Sequence, residues 1–236
     1  MNRRIEIFLL PLVVSLLTLL LSHCAKKPDE MDKELVTFYE VPLACGTAPD
    51  IGCGSRIKPL FVDTEQENNI KESWTNRQGT VLAIVWNENM IDADERMNIL
   101  QPLFAKHRIE ARYVSDTTKQ HNLLASLREG KDKWLKGMDV DQLSIEEAGS
   151  IATAAVEYPK EAKLIDEHEA EVIQSDIEAY LREELVKVRT YEELEAAGEQ
   201  WYAEMYTIYV KHIGKKRADK VRLMYEEYQS RETEND

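Results

Sequence analysis

Histidine, cysteine and glycine are scarce in this chain, at 5, 3 and 9 residues of 236. No histidine stands near the pair Cys45 and Cys53, so a tetrahedral metal set there would lack its remaining ligands. The sequence carries no nucleophile elbow, phosphate-binding loop, dinucleotide fingerprint or zinc-protease motif, which argues against an enzyme and implies no cofactor. Basic residues are outnumbered 44 to 30, giving a formal charge of −14, and a chain this acidic does not hold nucleic acid by neutralising phosphates. Internal repeats are absent, and the one biased stretch is the polar tail Ser230–Asp236.

What is present begins with an apolar run, Ile7–Leu21, behind Arg3 and Arg4 and closed by Leu21-Ser22-His23-Cys24. Basic start, apolar centre and cleavable boundary are the three parts of an export signal. The segment resembles the signal of bacterial lipoproteins, with His23 standing where a small residue is usual. That resemblance implies loss of residues 1–23, acylation of Cys24 (palmitate chemistry), a polar tether over 24–33, and a protein held by its lipid at the cell envelope, facing the periplasm or exterior. The same segment also reads as an uncleaved membrane anchor from Ile5 to Ser22, near the lower length limit for a spanning helix. Both readings leave the arginines in the cytoplasm and everything after Cys24 outside.

If Cys24 is acylated, Cys45 and Cys53 are the remaining thiols, and an oxidising compartment favours a disulfide between them. They flank a loop with Gly46, Pro49 and Gly52, followed by Gly54, Arg56 and Lys58. A thiol pair between a strand and a helix resembles the thioredoxin-like arrangement in position alone, because seven residues separate the cysteines. Three readings stay open here: a structural bridge, a redox or thiol-exchange site whose thiolate or bound anion is supported by Arg56 and Lys58, and a soft-metal pair.

The pattern predicts an α+β chain, mostly helical. A small α/β domain is expected over 34–118: a strand over Val36–Ala44, a helix from Leu60 to Arg77, a doubly buried strand over Thr80–Trp86, a helix capped by Asp92 or Asp94 and running to Lys106, and a strand over Ile109–Val114. Strand, helix and strand at this spacing suggest a right-handed parallel unit. A helical hairpin or bundle is expected over 119–230, with helices over 117–135, 144–156, 159–189, 190–213 and 215–230, and capping boxes at Ser144 and Thr190. From Asp139 onward 25 acidic residues face 12 basic ones, so this part carries nearly all of the net negative charge.

Within it, His168 lies among acidic neighbours whose spacing spreads them around the helix, which disfavours a metal site. Trp201, Tyr202, Tyr206 and Tyr209 form an aromatic-rich helix, either core packing or the lining of a groove. The basic segment Lys211–Arg222 would face lipid headgroups, an acidic partner or the neighbouring acidic helices. The functional expectation is a non-catalytic envelope protein that binds an envelope partner, with a thiol-disulfide or metal-handling role through Cys45 and Cys53 as its rival.

Overall fold

The apolar run Val81–Trp86 forms the middle strand of a sheet, β3, buried at every position as its lack of alternation predicts. The computed structural model describes residues 35–87, 92–130 and 133–233. The export segment, Cys24 and the expected tether therefore lie outside the described residues.

Around β3 the strands β1 (Val36–Glu40), β2 (Ile70–Asn76), β4 (Arg112–Tyr113) and β5 (Trp134–Lys136) complete a five-stranded sheet of order β4-β1-β3-β2-β5. Every pairing is antiparallel, with Phe38 opposite Ala83 and Trp74 opposite Ala83 on the other side. The expected unit of strand, helix and strand is split: β3 and β4 run the same way, because each pairs antiparallel with β1, but β1 lies between them. The helix read over 60–77 is instead α1 (Gly54–Thr64) followed by β2, which turns straight back into β3 as a hairpin. Gly79 makes that turn at φ 67°, and a Cβ there would stand 2.4 Å from the Leu43 carbonyl oxygen, so the turn needs glycine twice over. Pro42 falls just beyond β1 and removes no hydrogen bond from it.

The helix α2 (Ala93–Lys106) is capped by Asp92, whose side chain accepts from the backbone of Asp94 and Glu95. The helix α3 (Thr117–Glu129) ends earlier than expected, and Trp134–Lys136 rejoins the sheet as β5. The N-terminal core therefore takes in Val140 and Leu143, from beyond residue 118.

The remaining chain is α4 (Asp141–Glu161), α5 (Glu167–Leu185), α6 (Tyr191–Ile213) and α7 (Lys215–Thr233). Because α4 starts at Asp141, Ser144 sits inside it and forms no cap. Pro159 lies in the last turn of α4, and the break that follows is closed by a capping box between Asp166 and Glu169. Thr190 and Glu193 form the expected box at α6, and Gly214 separates α6 from α7. Apolar stripes of these helices build a second core from Ala148, Ile173, Ile177, Leu181, Tyr209 and Val221, among others. No helix among the described residues is long and apolar enough to cross a membrane.

Candidate functional site

The loop between Cys45 and Cys53 is a short irregular hairpin: Cys45 N donates to Ile51 O, Cys53 N donates to Leu43 O, and Ala44 bridges to Gly52. That register sets Cys45 across from Ile51 and diagonal to Cys53. Diagonal neighbours stand about 7–8 Å apart, wider than the roughly 4.4–6.8 Å Cα separation of a disulfide. The expected bridge is accordingly not formed, and both cysteines are free and buried. Cys45 Sγ is 3.2 Å from Thr47 Oγ1.

Cys53 is the N-cap of α1, and its thiol donates to Glu147 Oε1 of α4 at 2.9 Å. The same carboxylate accepts from the Ser55 backbone N–H at 3.3 Å and from the Ser55 hydroxyl. Glu147 thus sits where the α1 dipole and unpaired N–H groups favour negative charge. Burial, the adjacent carboxylate and its hydrogen bond push the Cys53 thiol up to about 12. Burial likewise raises Glu147, against the lowering by its hydrogen-bond donors. Gly54 makes this junction close: a Cβ there would meet Ser144 N at 2.4 Å.

Arg56 and Lys58 do not support a thiolate or an anion here, which corrects the sequence expectation. Lys58 is fully buried, and its ammonium donates to Asp141 Oδ1 at 2.5 Å and to the Val186 carbonyl. The guanidinium of Arg56 makes no ion pair among the described residues, and the anion position at the helix N-terminus is filled by Glu147 itself.

A cavity of about 710 Å³ lies between α4, α6 and α7. Tyr202, Tyr206 and Tyr209 of the expected aromatic surface line it, with Met205, Ala154 and Ala218 among their apolar neighbours. Trp201 does not line it and packs instead against the second core. Two residues that the sequence reading did not single out complete the site: Tyr225 from α7 and Thr47 from the cysteine loop. The loop and the tyrosine helix, unrelated in sequence, therefore meet at one cavity.

The tyrosine hydroxyls are already committed, and Pro159 explains two of them. Proline has no N–H, so the carbonyl four residues earlier, that of Ala155, loses its helical donor. Tyr209 and Tyr225 both donate to Ala155 O, the latter at 2.8 Å. Burial raises both hydroxyls well above the usual tyrosine range, with Tyr202, Glu157 and Tyr158 adding to the effect at Tyr225. At the other end Tyr206 donates to Asp219 Oδ1 at 2.7 Å, and Lys215 reaches Asp219 at 2.9 Å. Those two hydrogen bonds hold the Asp219 carboxyl below its ordinary range. The Arg222 guanidinium lies over the Tyr206 ring, 5.6 Å from its centroid.

Tyr225 was legible as part of an α7 stripe with Ala218 and Val221, spaced three and four, and Glu147 as a carboxylate between the buried positions Leu143 and Ala148. Thr47 left no such signal. No protein family, curated protein or solved structure matches the chain.

Proposed function

We propose that the chain is a membrane-anchored envelope lipoprotein with a non-catalytic binding role, and that the α4–α6–α7 groove is where it binds. The observation that carries this reading is the cavity of about 710 Å³ with Tyr202, Tyr206 and Tyr209 in its wall. Its volume falls in the range of ordinary ligand sites, and tyrosine combines a large rigid face with low conformational cost on binding. Catalysis fits this lining poorly, because its buried hydroxyls are raised and spent on a backbone carbonyl. The membrane anchor rests on the N-terminal sequence alone.

A thiol-exchange role is less well supported. The attacking species is the thiolate, and a thiol pushed up to about 12 remains protonated at neutral pH. Mass spectrometry of the membrane-extracted chain tests the lipid anchor: an acylated N-terminal Cys24 supports it, and an unmodified Met1 terminus removes it in favour of the uncleaved segment. A photo-crosslinking residue at Tyr202 tests the groove in intact cells, with exposed Lys71 on the sheet as the control position. Discrete adducts are expected at 202 and not at 71; identical patterns at both would end the groove assignment.

A further inference from the structure

We propose that Cys45 and Cys53 form a redox-sensitive latch: a low-molecular-weight disulfide closes them into a bridge, and closure shifts Thr47 in the wall of the α4–α6–α7 cavity. The two thiols share one face of the loop hairpin, because Cys45 lies across from Ile51 and Cys53 across from Leu43. Closing this diagonal asks the two Cα atoms to approach by roughly 1–2 Å. The Cys53 end is pinned. Its N–H donates to Leu43 O at 2.7 Å, its carbonyl accepts from Ile57 in α1, and the Gly52 N–H donates to Arg77 O at 2.7 Å. Cys45 instead leads into an exposed tip, Gly46, Thr47, Pro49 and Asp50. The backbone hydrogen bonds there run from Ala48 to Cys45 O and from Ile51 to Ala48 O, inside the loop itself. The Cys45 side therefore makes the movement. It carries with it Thr47, whose Oγ1 is 3.2 Å from Cys45 Sγ and which lines the cavity.

Exchange starts at Cys45, since the Cys53 thiol is bound to the Glu147 carboxylate and stays protonated. The Cys45 thiolate attacks one sulfur of the incoming disulfide, whose S–S bond breaks, and the thiolate that leaves takes a proton from water. Cys53 sulfur then attacks Cys45 sulfur. Its proton passes to Glu147 Oε1, 2.9 Å away, while the second small thiolate departs and is protonated by water. Glu147 afterwards returns its proton to water. Two cysteine thiols and one small disulfide thus become one bridge and two small thiols, the cysteines losing two electrons and the small disulfide gaining them. Burial raises the Glu147 carboxyl, which suits it to hold the proton in between. With the thiol gone, Glu147 keeps the Ser55 N–H and hydroxyl as donors, so closure does not strip the buried carboxylate. A bridge that pulls on the backbone is also readily reduced, which makes the latch reversible.

The test uses the full chain in phosphatidylcholine nanodiscs, treated with oxidised or reduced glutathione. Both cysteines fall in the tryptic peptide 34–56, apart from Cys24, so a bridge reads as the loss of two hydrogens from that peptide. Fluorotyrosine incorporation supplies the second readout by fluorine NMR. The Tyr202 and Tyr206 signals in the cavity wall are assigned from phenylalanine variants, and Tyr113 in β4 is the control. Oxidised glutathione is expected to remove the two hydrogens and to shift the Tyr202 or Tyr206 signal but not that of Tyr113, and reduced glutathione to restore both. In Cys45→Ser, or in Cys45→Ala where the serine variant does not fold, the tyrosine signals should not respond. A peptide 34–56 that keeps its hydrogens, or that stops at a glutathione adduct, would overturn the latch. A bridge with unmoved cavity tyrosines, or the same shifts in the Cys45 variants, would equally overturn it. None of these readouts depends on what the groove binds, so the latch and the binding assignment stand or fall separately.

Discussion

Glu147 decides the chemistry of the cysteine loop. A carboxylate beside a thiol at a helix N-terminus reverses the effect such a site has when the position is empty, because the helix dipole is spent on the carboxylate and the thiol serves as donor. With both cysteines reduced, iodoacetamide at mild alkaline pH should leave Cys53 unlabelled in the native chain and label it after unfolding. Prompt native labelling would contradict a thiol pushed up to about 12. Replacing Glu147 by alanine strands the Ser55 and Cys53 donors in a buried place, a loss of about 1–3 kcal/mol. The urea midpoint should fall with unchanged slope. None of this was legible from Cys45 and Cys53 themselves. Their spacing invited a bridge, whereas the partner that matters is 94 residues further along.

At the scale of elements, Pro159 shapes one wall of the groove. Its missing N–H exposes the Ala155 carbonyl, and two tyrosines from two other helices converge there. Tyr225→Phe is expected to cost about 1 kcal/mol in the natural chain. In a Pro159→Ala background the restored N–H serves Ala155, so the same change should cost less, and a double-mutant cycle by chemical denaturation reads the difference. Additive costs would show that the carbonyl is not shared in this way. The helices themselves were largely legible, since the Asp92 and Thr190 caps and the Gly214 stop act through neighbours in sequence. The β2 strand was not. Ile70-Lys71-Glu72-Ser73 carries helix-tolerant charges, and only pairing with β3 makes it extended. The three-residue β5 is likewise a product of the sheet edge rather than of local preference.

Over the whole molecule, the acidic helical part is tied together by ion pairs whose carboxylates titrate low. Arg217 holds Glu169 with two contacts, at 2.7 and 2.6 Å, and also donates to the Leu164 carbonyl. Lys211 and His212 hold Asp176, and Lys215 and Tyr206 hold Asp219. All three carboxyls lie below their ordinary values of 4.5 for Glu169 and 3.8 for the aspartates. Between those values and the lowered ones the unfolded chain binds more protons, so stability rises with pH there. The contribution is complete above about pH 5 and is lost as pH falls through the lowered values. Arg217→Ala should therefore flatten the acid limb of stability against pH, as followed by circular dichroism. An unchanged limb would mean that Glu169 gains nothing from this partner.

Lys58 has a consequence for the order in which the chain can fold. Its ammonium is sealed in by partners 83 and 128 residues later, Asp141 and the Val186 carbonyl. Until residue 186 is available, burying α1 against the sheet strands a charge in a dry interior, which is costly enough to hold the first half open. Contacts of that sequence separation also close slowly. A polypeptide threaded through a pore from its N-terminus would on this account stay unlocked until α5, the second of its four C-terminal helices, has followed.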